Sequence, residues 1–197
     1  LWIGTNKGLI KHILGDPTRD TRTGQWTLYT TASGLSHDDV RALGRDREGG
    51  LWVGTESGLC RLSGEAIISI TKAEGLPDPY VWRIVESQDG RIYASTGGGI
   101  AEIVQGKARR VSGSQSPPFD HVLGRVLQDR RGDWWIGTHE ALFRFRGQKL
   151  RLYGGRRFAR ELGLSPYGIT YEQGMYEDAT GHLWISTWTG AVGPRLF

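Results

Sequence analysis

Three histidines with acidic neighbours are the residues of this chain whose types could support catalysis or metal binding. His37, His121 and His139 each have a carboxylate one residue away, and imidazole with carboxylate can ligate a metal or act as a general base. The neighbouring carboxylates are Asp38, Asp120 and Glu140. No local spacing such as His-Glu-x-x-His occurs, and His37 and His139 belong to different repeats. We therefore expect no catalytic residue, metal or cofactor here, and keep an enzyme as an alternative that convergence of His121, His139 and Glu140 would favour.

The longer connections of the chain carry aromatic rings and arginines that could bind a ligand. They vary between repeats, as binding loops on a repeated frame do. One insertion places Arg156 and Arg157 next to Phe158, and guanidinium groups bind carboxylates, sulfates or phosphates. The predicted ligand-binding residues are His37, Asp38, Tyr80, Phe119, His121, His139, Glu140, Arg156, Arg157, Tyr167 and Trp188. Solvated charged loops, with Pro and Tyr only closing the fold, are the structural alternative.

A sequence repeat determines where these loops lie. The first copy reads Leu-Trp-Ile-Gly-Thr-Asn-Lys-Gly-Leu, and each later copy keeps an aromatic at the second position and Thr at the fifth. The aromatics are Trp2, Trp52, Tyr93, Trp135 and Trp184, separated by 50, 41, 42 and 49 residues. A period of about 40–50 residues is typical of one propeller blade.

Each repeat is predicted to form four short antiparallel strands, A to D. An Asp or Ser six residues before the aromatic and a Gly three before it predict a tight turn between strands A and B, because Gly accepts positive φ and Asp caps its own turn. Strand B carries the aromatic, and a second tight turn leads into strand C. Strand A is predicted at Val40–Gly44, Val81–Val85, Leu123–Leu127 and Ile169–Tyr176.

The predicted fold is all-β: a β-propeller of four-stranded antiparallel blades, present as a partial arc of about four to five blades. It forms one segment over residues 1–197, with repeat cores at 1–9, 46–59, 87–100, 129–142 and 178–191. The repeated aromatics are predicted to fill the wedges between blades, since binding sites seldom recur in every blade. We expect the D–A and B–C loops on one face, with the candidate ligand-binding residues, and the A–B and C–D turns on the other. His182 lies in an A–B turn, so we expect it to be exposed and away from the candidate face.

Composition argues against several function classes. Lys and Arg number 25 against 21 Asp and Glu, a net charge of +4, and the two signs are interleaved, so nucleic-acid binding is not indicated. No apolar run approaches the roughly 20 residues that span a bilayer, so we expect no membrane contact by this segment itself. The single cysteine, Cys60, permits no internal disulfide and is predicted to be a small core residue.

The pattern Asp-x-x-Gly-x-Leu-Trp-Val-Gly-Thr-x-x-Gly-Leu, complete at residues 46–59, resembles the two-component regulator propeller repeat. The copies that depart from it do so at Ser87, Tyr93, Ser95, Ser186 and Ala191. Such repeats line the periplasmic sensor region of hybrid two-component histidine kinases. The resemblance implies a ligand- or partner-binding sensor propeller, part of a membrane-anchored two-component signalling receptor, in a periplasmic or extracytoplasmic location.

The resemblance also implies binding partners. Expected ligands are carbohydrates or other environmental molecules, and expected partners are the remaining blades and signalling domains of the full-length protein, with a homodimer as a further option. Propellers of this family close with about seven blades, so we expect either truncation of a longer protein or assembly with another chain. The alternatives are a streptogramin-lyase-like propeller enzyme and a protein-interaction scaffold.

Overall fold

The computed structural model describes residues 1–13, 24–64, 66–111, 125–137, 142–146, 149–154, 169–189 and 194–196. They form antiparallel sheets of three or four strands, each built from strands that follow one another in the chain. Within these ranges there is no α-helix, and the predicted all-β class is confirmed. No helix of the described residues is long and apolar enough to cross a bilayer.

Five sheets correspond to the five copies of the repeat, and we number them as blades. Blade 1 contains β1 (Trp2–Thr5), β2 (Gly8–Ile13) and β3 (Gln25–Tyr29). Blade 2 contains β4 (Val40–Arg45), β5 (Leu51–Thr55), β6 (Leu59–Ser63) and β7 (Ala66–Ile70). Blade 3 contains β8 (Val81–Glu86), β9 (Ile92–Thr96), β10 (Gly99–Val104) and β11 (Lys107–Arg110). Blade 4 contains β12 (Arg125–Gln128), β13 (Trp134–Gly137), β14 (Leu142–Arg146) and β15 (Lys149–Gly154). Blade 5 contains β16 (Ile169–Glu177), β17 (Leu183–Thr189) and β18 (Pro194–Leu196).

Strand A, the first strand of blades 2 to 5, is therefore β4, β8, β12 and β16. Three of these strands begin where they are predicted to begin and extend one residue further than predicted. In blade 4 the strand is described from Arg125 to Gln128, and residues 121–124 lie outside the described ranges. The four-stranded blade and the partial arc are thus both confirmed.

The turn between strands A and B is held by the Asp that begins it. In blade 2 the backbone N–H of Gly50 donates to Asp46 Oδ1 at 2.6 Å, and the indole N–H of Trp52 donates to Asp46 Oδ2 at 2.9 Å. The same indole bond, at 2.8 Å each, joins Trp135 to Asp129 and Trp184 to Asp178. The fixed spacing of Asp and Trp in the repeat therefore reflects a hydrogen bond as well as a turn.

The turn between strands B and C is closed by the Thr of the repeat. The Thr55 hydroxyl donates to the carbonyl oxygen of Gly58 at 2.9 Å, and Thr96 makes the same bond to Gly99 at 2.7 Å. Gly99 has a φ of +114°, a conformation that residues with a Cβ rarely adopt. The Thr-x-x-Gly spacing thus encodes a local hydrogen-bonded turn.

Two of the D–A connections begin with the same structure, although the sequence predicts that these loops vary. A single 3₁₀ turn at Thr31–Ser33 and at Lys72–Glu74 ends in a glycine with positive φ, 104° at Gly34 and 96° at Gly75. The leucine after each glycine is buried, Leu35 at 4% and Leu76 at 3% exposure. The first half of the connection therefore anchors the loop, and only the second half is free to differ.

Apolar clusters fill the spaces between successive blades. Between blades 2 and 3, for example, Trp52 packs with Ile92 and Ala94 from strand B of the next blade. Trp52 is 6% exposed and Trp135 8%, which confirms these aromatics as core residues. Trp184 of blade 5 is 42% exposed, since no described blade packs against its face. Cys60 is fully buried in the cluster between blades 1 and 2, as predicted.

Candidate ligand-binding site

Three of the predicted ligand-binding residues have described side chains, namely His37, Asp38 and Tyr80. The following lie outside the described residues: Phe119, His121, His139, Glu140, Arg156, Arg157 and Tyr167. For Trp188 the structure describes the backbone, in β17, and not the side chain. The convergence of His121, His139 and Glu140 that would favour an enzyme therefore stays a prediction.

His37 and Asp38 are both half-buried and bind the backbone of their own loop. Asp38 Oδ1 accepts a hydrogen bond from the backbone N–H of Thr31 at 2.7 Å, and His37 Nδ1 accepts one from the N–H of Asp39 at 3.0 Å. These two side chains hold the second half of the D–A connection in place, so that Asp39 and the residues after it are presented at a defined position.

A β-bulge at the start of strand A exposes one residue in each of two successive blades. The register of β4 against β5 shifts between Val40 and Ala42, and that of β8 against β9 shifts between Val81 and Arg83. The bulged residues are Arg41 and Trp82, which occupy equivalent positions in blades 2 and 3. Bulges redirect a side chain away from the regular pleat and are frequent next to functional sites. Neither residue was among the predicted ligand-binding residues, although each follows a Val that begins strand A, Val40 in blade 2 and Val81 in blade 3.

Arg41 lies between two carboxylates. Its Nη2 donates to Asp39 Oδ2 at 2.9 Å and also to Glu56, from the B–C turn of the same blade. The hydrogen bond to Glu56 raises the pKa of Arg41 above its usual range, and the charges of Asp39, Glu56 and Tyr80 add to this rise. The Arg41 side chain is still 41% exposed, so it can contact a ligand while its position is held by Asp39 and Glu56.

Two aromatic rings lie beside this charged group. The rings of Tyr80 and Trp82 are stacked, with centroids 5.7 Å apart and an interplanar angle of 16°. Tyr80 is 41% exposed and Trp82 is half-buried. The Trp82 indole N–H is buried and has no acceptor among the described residues. A buried donor without an acceptor costs about 1–3 kcal/mol, which a ligand oxygen bound there would recover.

We refer to Asp39, Arg41, Glu56, Tyr80 and Trp82 as the bulge patch. The blade 2 part and the blade 3 part of the patch adjoin because Val81 packs directly over Gly54 of blade 2. Val81 lies between Tyr80 and Trp82 in the sequence. The patch combines a ring pair with hydrogen-bond donors and acceptors, an arrangement suited to a ligand that has flat apolar faces and hydroxyl groups. No group of three or more His, Cys, Asp or Glu side chains that could hold a metal occurs within the described ranges.

A second charged cluster lies in blade 4, where the A–B turn meets strand C. Asp133 is 1% exposed and binds the guanidinium groups of Arg144 and Arg146, with Arg144 Nε donating to Oδ2 at 2.8 Å. The hydrogen bond from Arg146, helped by Arg144, lowers the pKa of Asp133 to about 2. His182, in the A–B turn of blade 5, is exposed as predicted, with 75% of its side-chain surface accessible.

Residues 34–57, which contain the bulge of blade 2 and most of the second repeat core, match a family model described as the two-component regulator propeller. The match is to a single two-component regulator propeller repeat, in blade 2. The match covers the D–A connection and strands A and B of blade 2, and the other four copies of the repeat form equivalent sheets. No curated protein matches the chain.

Solved structures share the fold of this chain. The extracellular domain of a hybrid two-component system from B. thetaiotaomicron is 19% identical with a TM-score of 0.74, over 100% of this chain and 26% of that one. A second such domain from the same organism is 20% identical with a TM-score of 0.57, over 100% of this chain and 31% of that one. A virginiamycin B lyase from Staphylococcus aureus is 19% identical with a TM-score of 0.58, over 88% of this chain and 59% of that one. At these identities the likeness is one of fold, and the chain spans less than two thirds of each structure.

Proposed function

We propose that this chain is part of the sensor propeller of a membrane-anchored two-component receptor, located outside the cytoplasm, and that the bulge patch binds its ligand. The two-component regulator propeller match and the extracellular domains of similar fold support the receptor role. The stacked, partly exposed pair of Tyr80 and Trp82 beside Arg41 is the observation that carries the binding role.

Carbohydrate is the ligand class that this chemistry fits best. The apolar face of a sugar ring packs on aromatic rings such as Tyr80 and Trp82. Sugar hydroxyls can accept from the Trp82 indole and from Arg41, and can donate to Asp39 and Glu56. Binding across blades 2 and 3 would change the packing between these blades and the domains beside them, and thereby transmit a signal across the membrane to a phosphorelay.

The test is a calorimetric titration of the purified protein with a panel of neutral and acidic oligosaccharides. For any saccharide that binds, we expect Trp82→Ala and Tyr80→Ala each to weaken the affinity at least ten-fold, since each removes a ring of the stack. Trp26→Ala is the matched control, because Trp26 is also an exposed ring in a stack, with His12 in blade 1, away from the bulge patch. Equal loss in the control, or full affinity in both patch variants, would overturn the proposed site.

A streptogramin-lyase-like enzyme and a protein-interaction scaffold are the alternatives. Cleavage of a streptogramin B antibiotic by the purified protein, lost in His139→Ala, would favour the enzyme. A bulge patch that binds no saccharide and is covered by a protein partner in a cross-linking experiment would favour the scaffold. The signalling domains and remaining blades of the full-length protein are the partners that the receptor proposal requires.

A further inference from the structure

The interface between blades 3 and 4 departs from the pattern of the other interfaces. In three blades the strand-B Trp has a cationic residue as its cross-strand neighbour on strand C. The cation lies over the indole ring in each: Lys11 over Trp2 at 5.5 Å, Arg61 over Trp52 at 5.5 Å and Arg144 over Trp135 at 5.3 Å. In blade 3 the corresponding pair is Tyr93 and Glu102, so both the indole and the cation are replaced.

This replacement coincides with a cleft between blades 3 and 4. The cleft has a volume of about 570 Å³, within the size range of small-molecule sites. Its apolar walls are the rings of Tyr93 from blade 3 and of Trp134 and Phe145 from blade 4. The cleft also reaches β11, which lies at the opposite edge of the blade 3 sheet from β8 and the bulge patch. It is therefore a separate site.

The charged residues around this cleft are predominantly cationic. Arg91, Arg109 and Arg110 line it together with one carboxylate, that of Glu102. Glu102 pairs with Arg91 at 3.1 Å, and Arg91 also pairs with Asp89 at 3.1 Å. Arg109, the cross-strand neighbour of Glu102, and Arg110 are both exposed and have no carboxylate partner in the described part of the chain. Within the described residues, two guanidinium groups without a carboxylate partner therefore stand at the rim of an aromatic cleft.

The larger cleft between blades 2 and 3, of about 820 Å³, provides a contrast. Of its arginines, Arg47 pairs with Glu86 at 2.8 Å, and Arg61 pairs with Asp46 at 2.9 Å and Glu48 at 2.7 Å. Arg91, Glu102 and Arg109 line both clefts, whereas Arg110 and the rings of Tyr93, Trp134 and Phe145 line the smaller cleft and not the larger one. The combination of aromatic walls with two neighbouring arginines therefore belongs to the smaller cleft.

We propose that the cleft lined by Tyr93, Trp134 and Phe145 is a second binding site, distinct from the bulge patch, for a small carboxylate that carries a ring. The ring packs against the contacting pair of Tyr93 and Trp134 and against Phe145, and the carboxylate is bound by Arg109 with Arg110 beside it. Arginine binds carboxylates through two parallel N–H donors, which gives this site its preference for anions over neutral rings. The Arg91–Glu102 pair forms one wall and keeps Glu102 from neutralising Arg109.

Three probes titrated into the purified protein, followed by calorimetry, test this site: benzoate, glucuronate and glucose. We expect benzoate, glucuronate or both to bind to Trp82→Ala, in which the bulge patch is disabled, and glucose not to bind to that variant. The stronger carboxylate identifies an aromatic or a sugar acid as the natural class. Arg109→Ala should weaken binding at least ten-fold, and Arg109→Ala with Arg110→Ala should abolish it. Lys107→Ala is the matched control, because Lys107 is an exposed cation on the same strand that does not line the cleft.

Three outcomes would overturn the proposal: neither carboxylate binds, glucose binds to Trp82→Ala as well as glucuronate does, or Lys107→Ala weakens carboxylate binding as much as Arg109→Ala. Arg109 and Arg110 are exposed on an edge strand, so their replacement leaves the packing of the blade intact. Carboxylate binding at this cleft should also be independent of the bulge patch. Tyr80→Ala and Trp82→Ala should leave carboxylate binding unchanged, so failure of either site is distinguishable from failure of the other.

Discussion

The ring of Trp134 meets the ring of Tyr93 edge to face, with centroids 4.6 Å apart and an interplanar angle of 63°. At the other blade interfaces a strand-B Trp packs with an aliphatic residue of the next blade: Trp2 with Leu51, Trp52 with Ile92, and Trp135 with Leu183. Between blades 3 and 4 the sizes are exchanged, since the smaller Tyr93 faces the larger Trp134. The side-chain volume at this interface is thus divided differently between Tyr93 and Trp134, and the interface stays packed.

This exchange predicts a coupling between the two positions. Trp134→Leu should destabilise the protein by about 2–4 kcal/mol, because it leaves a cavity beside Tyr93. Tyr93→Trp alone should also destabilise it, by overpacking. The double variant restores the sizes found at the other interfaces and should be more stable than the sum of the single effects by about 0.5–3 kcal/mol. Urea unfolding of the wild type, the two single variants and the double variant measures the coupling. Strictly additive changes in the unfolding free energy would contradict it.

Acid sensitivity should arise in part from Asp133. The pKa of Asp133 is lowered to about 2 in the folded protein by Arg146 and Arg144, while an Asp in the unfolded chain titrates near its ordinary pKa of 3.8. A lowered pKa contributes stability that is present above the unfolded value and is lost as the pH falls from about 4 towards 2. This contribution should be on the order of 1–2 kcal/mol, allowing for screening at the exposed Arg146.

The measurement is the unfolding free energy of the wild type and of Asp133→Asn between pH 6 and pH 2. We expect the wild type to be more stable at pH 6 and the difference to shrink as the pH falls below 4. A difference that grows towards acid pH would contradict the assignment. Asp38→Asn is a suitable control, since Asp38 binds a backbone N–H and has no arginine partner among the described residues.

Gly54 should tolerate no side chain because of Val81. A Cβ placed on Gly54 would lie 2.6 Å from Val81 Cγ1, closer than non-bonded carbon atoms approach. Gly54→Ala should therefore cost about 1–3 kcal/mol by overpacking between blades 2 and 3. Because the obstacle is the Val81 side chain, Gly54→Ala with Val81→Ala should be less destabilised than the two single effects together. Additive losses in thermal unfolding would show that another contact is responsible.

The same Trp→Ala substitution should have unequal effects in different blades. Trp52 is 6% exposed between blades 2 and 3, and its removal should cost about 3–5 kcal/mol. Trp184 is 42% exposed, and although it keeps its hydrogen bond to Asp178, Trp184→Ala should cost less than half as much. Urea denaturation of the two variants checks this ratio. An equal loss would mean that Trp184 is covered in the protein as it exists in solution.

The repeat and the blade could be predicted because their interactions are local in the chain. The Asp46–Trp52 hydrogen bond joins residues six apart, and the Thr55–Gly58 bond joins residues three apart. Spacings this short recur with every copy, so the pattern of residue types records the turns, the strands between them and the core position of the aromatics. The buried Cys60 and the exposed His182 were predicted for the same reason.

The bulge patch and the Tyr93–Trp134 cleft depend instead on contacts between blades. Arg41 and Trp82, in different blades, are presented by bulges that depend on how strand A pairs with strand B. The sequence predicted Tyr93 as a wedge-filling aromatic that departs from the Trp of the repeat, but not its partner Trp134, which lies in the next blade. The sequence alone thus determined the architecture, since local spacing encodes each blade. Only the tertiary structure decided which variable residues meet, because the packing of one blade on the next brings them together.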